Sequence, residues 1–189
     1  MTVVKKFPAD RTEVDCEQDD VTLAALRARK GDESAATAFV RATQADVWRL
    51  CAHLGDLGSA DDLTQDTYAR AFASLHRFVG RSSARTWLLS IARRACADAI
   101  RSAQRDRRAP TVGERIGTDV ADSVTIRALL ADLDADRREA FVLTQVVGLS
   151  YAEAAEVCSC PVGTVRSRVA RARGDLVAML GDDARRRTG

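Results

Sequence analysis

SYAEAAEVCSCPVGTVRSRVARAR, residues 150–173, is the stretch whose reading decides the fold. Ser150 and Glu153 stand at capping-box spacing. The hydroxyl accepts the third backbone N–H of a helix while the carboxylate accepts the N–H of the cap itself, so a helix opens here. That helix is short, ending near Cys158. The chain turns at Ser159 and Cys160, and Pro161 fits the first position of a new helix, where its missing N–H costs nothing. At ~100° per residue, Val162, Val165, Val169, Ala172 and Leu176 of this last helix fall on one stripe that must pack inward. The opposite face is centred on Gly163, Ser167, Ala170, Arg171 and Gly174, with Thr164, Arg166 and Arg168 beside it. A capped helix, a turn and a basic helix is the helix-turn-helix pattern. Small exposed residues allow close approach to a major groove, and guanidinium forks pair with guanine O6 and N7. A solvated amphipathic helix would share the basic face, but the capped helix and turn ahead of it favour DNA.

Upstream of this stretch, Ile126, Leu129, Leu130 and Leu133 mark one helix and Asp136 to Val147 another, with Gly148 placed for a left-handed helix stop. Residues 107–123, RRAPTVGERIGTDVADS, hold a proline, two glycines and no sustained apolar period, so they read as a linker. The first half reads as four helices. Asp20 is placed to cap one running to Gly31, and a second carries Phe39, Val40, Val47, Leu50, Cys51 and Leu54 on one side. A third, Asp61 to Phe78, offers Leu63, Tyr68, Ala71, Phe72 and Leu75 for packing, and a fourth begins near residue 81. The expectation is an all-α chain of two small helical domains joined by a flexible linker. Its parts are a mobile tail (1–19), a first domain (20–106), the linker (107–123), a helix-turn-helix domain (124–180) and a tail (181–189).

Composition agrees. The chain has 189 residues, 46% of them hydrophobic and only 5% aromatic, which suits helices packed through small side chains. No apolar run approaches the ~20 residues of a membrane span, and the N-terminus turns acidic where a signal peptide needs an apolar run. A cytoplasmic protein without membrane insertion is expected. Cysteines 16, 51, 96, 158 and 160 include no C-x-x-C pair and no histidine at zinc spacing, so they read as reduced, mostly buried thiols. No cofactor or metal is expected. His53 and His76 lie near no nucleophile constellation or phosphate-binding glycine loop, so an enzyme is disfavoured. The net charge of +2 conceals a pattern: Arg93 to Arg108 holds six arginines against two aspartates, and Arg166 to Arg187 seven against three. Asp15 to Asp20 and Asp61 to Asp66 are acidic. Two basic stretches fit a polyanion held at two places.

Three strings carry a family resemblance. LTQVVGLSYAEAAEVCSCPVGTVRSRVARAR (143–173) resembles the fourth conserved region of the sigma-70 family, in its extracytoplasmic-function (ECF) class. SADDLTQDTYARAFASLHRF (59–78) and RSSARTWLLSIARRACADAIR (81–101) resemble its second region, in the expected order, and the detail is most like the actinobacterial sigma C-like group. The resemblance implies an alternative sigma factor: a non-enzymatic subunit of bacterial RNA polymerase that directs promoter-specific initiation.

The resemblance also implies roles for particular residues. Asp61, Asp62, Leu63, Gln65 and Asp66 would dock on a basic coiled coil of core polymerase, with Leu63 as apolar anchor; Asp61 and Asp62 also complement the helix dipole. Gly80, Arg81, Ser82, Ser83 and Ala84 would surround a flipped base of the melted downstream (−10) element, with Arg85, Arg93, Arg94 and Arg101 on phosphates. Trp87 reads as core. Thr164, Arg166, Ser167, Arg168, Ala170, Arg171 and Arg173 would contact the upstream (−35) duplex. An anti-sigma factor is a possible further partner. A free-standing helix-turn-helix repressor would explain 124–180 but not the acidic helix followed by the arginine-rich one.

Overall fold

A computed structural model describes residues 19–55, 57–106 and 128–188, and every regular element among them is helical. Most of the expected N-terminal tail, the expected linker 107–123 and Ile126 lie outside the described residues.

The first half is a four-helix unit: α1 (Asp20–Ala28), α2 (Glu33–Leu54), α3 (Ala60–Ser74) and α4 (Ala84–Asp106). Asp19, not Asp20, caps α1, its carboxylate accepting the Thr22 N–H at 2.6 Å. Asp32 caps α2 in the same way through the Ala35 N–H. The expected third helix is two pieces, because after Ser74 the chain tightens into a 3₁₀ turn, Leu75–Arg77. The fourth helix starts at Ala84, three residues later than expected. Ser83 holds that start: its hydroxyl accepts the Thr86 N–H at 3.1 Å, while Thr22 of α1 accepts the Ala84 N–H at 2.9 Å. Phe39, Val47, Leu50, Leu88, Leu89 and Ala92 fill the centre of the unit. Trp87 is half-buried against Phe78, ring centroids 4.9 Å apart, in keeping with its reading as core. Val40 is only partly buried and Phe72 is exposed, so neither joins the interior as the periodicity suggested.

The second half comprises a helical turn at 128–131, α5 (Ala135–Phe141), α6 (Tyr151–Cys158) and α7 (Val162–Thr188). The expected helix to Val147 changes pitch at Phe141 and finishes as a π turn, Val142–Val146, with the Val147 N–H reaching back to the Val142 carbonyl at 2.9 Å. Gly148 then reverses the chain at φ 83°, a conformation in which a Cβ would be strained. Ser150 and Glu153 form the capping box in both directions. Ser159 ends α6 in the left-handed region. Pro161 stands one residue ahead of α7, its carbonyl accepting the Thr164 N–H at 2.9 Å. Val165, Val169 and Ala172 are the buried stripe of α7; Val162, at its first turn, is 37% exposed.

The two units do not stand apart. α4 packs against α6, α2 packs against the π turn, and the apolar core runs from one unit into the other without a break. Removing bulk from the interior costs far more than removing it from the surface. Leu88→Ala is expected to lower the unfolding free energy by about 2–5 kcal/mol, and Phe72→Ala, at an exposed site, by much less. Urea denaturation of both variants checks this; equal losses would contradict the placement of α3 and α4.

Candidate polymerase and nucleic-acid surfaces

The acidic edge of α3 follows from helix geometry. Asp61, Asp62 and Gln65 are exposed and Asp66 is half-exposed. Two of the acids already have partners. Asp61 accepts the indole N–H of Trp48 at 2.9 Å, and Asp66 pairs with Arg70 at 2.8 Å. Arg70 also reaches Asp98 of α4 at 2.7 Å, and these two carboxylates, Asp98 foremost, raise its pKa. Leu63, expected as an apolar anchor on this edge, is instead 7% exposed and sits beneath Gly55 in the core. Exposed apolar surface comes from two other residues: Trp48, 38% exposed, and Phe72, 41% exposed. Phe72 falls within ~20° of Asp61 around the helix. The sequence held a signal for Trp48, which stands opposite Phe39 and Leu50 on the wheel of α2, off its apolar stripe.

In the loop before α4, Gly80 takes φ 74° and Arg81 is exposed. Ser82 is half-buried. Ser83 and Ala84, expected beside them, are taken up by the start of α4, Ala84 being fully buried. Arg94 and Arg101 face solvent. Arg85 and Arg93 do not. Arg85 donates through Nε to Asp46 at 2.7 Å and through Nη2 to the Val147 carbonyl at 2.8 Å. Arg93 is paired with Glu139 of α5. Partial burial of Arg93 works against its charge, and Glu139 more than offsets this, so its pKa is raised. Two of the arginines expected to hold phosphates are therefore bound by the second unit. Neither Asp46 nor Glu139 was singled out from the sequence, since a pairing across 39 or 46 residues leaves no local pattern.

On α7, Arg166, Ser167, Ala170, Arg171 and Arg173 are exposed and Thr164 is half-buried. Arg168 is turned aside, paired with Asp136 and lying 3.8 Å from the Cys160 sulfur. Arg173 donates to the Gln145 side chain at 2.8 Å. Arg166 lies over the ring of Tyr151, 5.8 Å from its centroid, and Arg171 has no partner among the described residues.

The described cysteines are free thiols, and Cys51, Cys96 and Cys158 are buried. The hydrogen bond with Cys51 and then burial push the Cys96 thiol up; burial and then Glu139 do the same to Cys158. Such thiols are poor nucleophiles. Among the described residues no group of histidines, cysteines and carboxylates is arranged to hold a metal, and no helix is long and apolar enough to cross a membrane.

Comparisons with known proteins cover both units. Residues 39–106 match the model of Sigma-70 region 2, and residues 123–176 that of Sigma-70, region 4. The chain is 53% identical over 170 residues to the ECF RNA polymerase sigma factor SigC of Mycobacterium tuberculosis, covering 86% of this chain and 92% of that one. Among solved structures it resembles CnrH in complex with the cytosolic domain of CnrY, with TM-score 0.73, 28% identity and 87% and 99% of the two chains covered. It also resembles the sigma factor RpoE in complex with the anti-sigma factor NepR from Bartonella quintana, with TM-score 0.69, 29% identity and 77% and 96% covered.

Among the described residues the Arg93–Glu139 pair is the ionic contact between the two units, so reversing one charge tests their packing. Glu139→Arg is expected to raise the radius of gyration in small-angle X-ray scattering while helical circular dichroism persists. An unchanged radius would mean that the apolar seam holds without this pair.

Proposed function

The chain belongs to the sigma-70 family, in its ECF class, and we propose that it divides its work between three surfaces: the edge of α3, the start of α4 and the exposed face of α7. As an alternative sigma factor it binds core RNA polymerase and directs promoter-specific initiation; the bond-making stays with the polymerase. In this reading the first domain (20–106) docks through Asp61, Asp62, Gln65 and Asp66, flanked by Trp48 and Phe72. Gly80, Arg81 and Ser82, with Arg94 and Arg101 and the released Arg85 and Arg93, hold the melted −10 strand. Capturing an extruded base there shifts the duplex toward its open form. The second domain (124–180) reads the −35 duplex through Arg166, Ser167, Ala170 and Arg171, with Thr164 and Arg173 at the margin. Arg168 serves the fold, through Asp136. The protein works in the cytoplasm, at the nucleoid when in holoenzyme. Both solved relatives are named as complexes, one with CnrY and one with the anti-sigma factor NepR, so an anti-sigma factor belongs to the proposed partners.

The observation that supports this reading best is the exposed face of Arg166, Ser167, Ala170 and Arg171 on α7, presented behind the capped α6; Arg85 and Arg93 lie against the second unit, so in this reading they are released on promoter binding. The −10 and −35 elements are about 25 base pairs apart by position, ~85 Å along B-DNA at ~3.4 Å per pair. A closed body of this size has a radius of gyration of ~16 Å, too small to reach both. The expected linker, 107–123, can span at most ~60 Å. Added to the widths of the two domains, that reach is sufficient. The closed form is thus the resting state, and promoter engagement separates α4 from α6.

Asp62→Arg combined with Asp66→Arg is expected to abolish co-elution with core polymerase in gel filtration while leaving the helical signal intact. Undiminished co-elution would refute the docking surface. For the downstream site, a scrambled loop at 80–82 is expected to spare core binding but remove the fluorescence rise of a 2-aminopurine in the −10 element during open-complex formation. A premelted element should then restore part of the run-off transcript. Full activity of the scrambled loop on ordinary duplex would place the base pocket elsewhere.

A further inference from the structure

The arginines of α7 are not equivalent, and the difference lies in what holds each one. Arg168 is tied to Asp136 and Arg173 to Gln145, while Arg171 has no partner among the described residues. Among the described arginines of α7, Arg166 alone rests on an aromatic face: its guanidinium carbon is 5.8 Å from the centre of the Tyr151 ring. Tyr151 is the first residue of α6, directly after the N-cap Ser150 and inside the capping box that fixes that helix start. Its ring is half-buried and packed against the core. A flexible cation therefore lies on a rigid platform supplied by the other helix of the motif.

A guanidinium over a ring face is attracted by the ring quadrupole, and its N–H donors, lying in the guanidinium plane, stay available at its edge. Bidentate pairing with guanine O6 and N7 needs that edge presented in one orientation. A free arginine must be ordered when it binds; one held by a ring is ordered beforehand, and the saving applies only where its fork finds the matching base. We infer that Tyr151 is a positioning residue for base selection: its ring orients Arg166 toward a guanine of the upstream duplex. The inference rests on the reading of α7 as the −35 helix.

The test uses the full chain assembled with core polymerase, and promoters in which each base pair of the upstream element is replaced in turn. Arg166→Ala identifies the position Arg166 reads, as the one whose preference disappears. Tyr151→Leu is expected to lower the guanine preference at that position roughly fivefold, to leave the other preferences unchanged, and to add nothing in the Arg166→Ala background. Tyr151→Phe should match the unaltered protein, because the ring face is kept. Should the leucine variant fail to fold, phenylalanines of increasing fluorination at position 151 keep the shape and progressively weaken the π face. The preference should then fall along that series. A uniform loss at every position, a phenylalanine variant as impaired as leucine, or a flat fluorination series would each overturn the positioning role. If Arg166→Ala changes no preference at any position, the assignment of Arg166 to base reading fails instead, whatever Tyr151 does.

Discussion

Arg93 and Glu139 form a half-buried ion pair between the first unit and the second, and the arrangement of the whole chain depends on how such a pair is satisfied. A guanidinium withdrawn from water needs a partner of opposite charge, and removing that partner leaves an uncompensated charge. Glu139 supplies it for Arg93; Arg85 has its counter-charge in Asp46 of its own unit and donates a further hydrogen bond to the Val147 carbonyl of the second. In the proposed reading, DNA phosphate takes over the same role. Opening the seam would therefore exchange ionic partners for these arginines, while the apolar contacts of α4 and α2 with the second unit are lost and must be offset by other contacts in the complex.

The helix-turn-helix explains why the seam and the exposed basic face of α7 coexist. α6 buries Ala154, Ala155, Val157 and Cys158, and α4 packs against this helix, while α7 lies on α5 and α6 and turns Arg166, Arg171 and Arg173 to solvent. The face of α7 that suits a major groove is exposed in the closed form. Arg85 and Arg93 of the first unit are covered. In the proposed reading the closed chain presents its two nucleic-acid surfaces unequally, and engaging both promoter elements releases the covered one.

Local signals made much of this legible in the sequence. The Ser150–Glu153 capping box, the left-handed Gly148 and the Val165, Val169, Ala172 stripe are each set by residues within a turn or two of one another, so spacing alone places them. Near misses were also local: Asp19 takes the cap expected of Asp20, Ser83 delays the start of α4, and the π turn interrupts a helix whose apolar spacing gave no warning. Leu63 packs inward as its spacing implied, which leaves it unavailable as the surface anchor, and Phe72, also offered for packing, is exposed, because an apolar residue on a helix is assigned to core or surface only once its neighbours are in place. The pairings of Arg85, Arg93 and Arg168 were out of reach for the same reason. Each joins residues 32 to 62 positions apart, and nothing in a single sequence says which of many acids an arginine meets. The resemblance to the sigma-70 family supplied surfaces and roles, but not the closed packing of one unit on the other.

Energy transfer between a donor and an acceptor attached at Ala38 and Ala178, exposed positions of the two units, measures that packing directly. The labels are introduced through bioorthogonal side chains, so the native thiols stay untouched. The account predicts efficient transfer in the free chain, resistant to moderate salt, and a large fall when core polymerase and promoter are added together. Low transfer in the free chain, or unchanged transfer in the promoter complex, would contradict it.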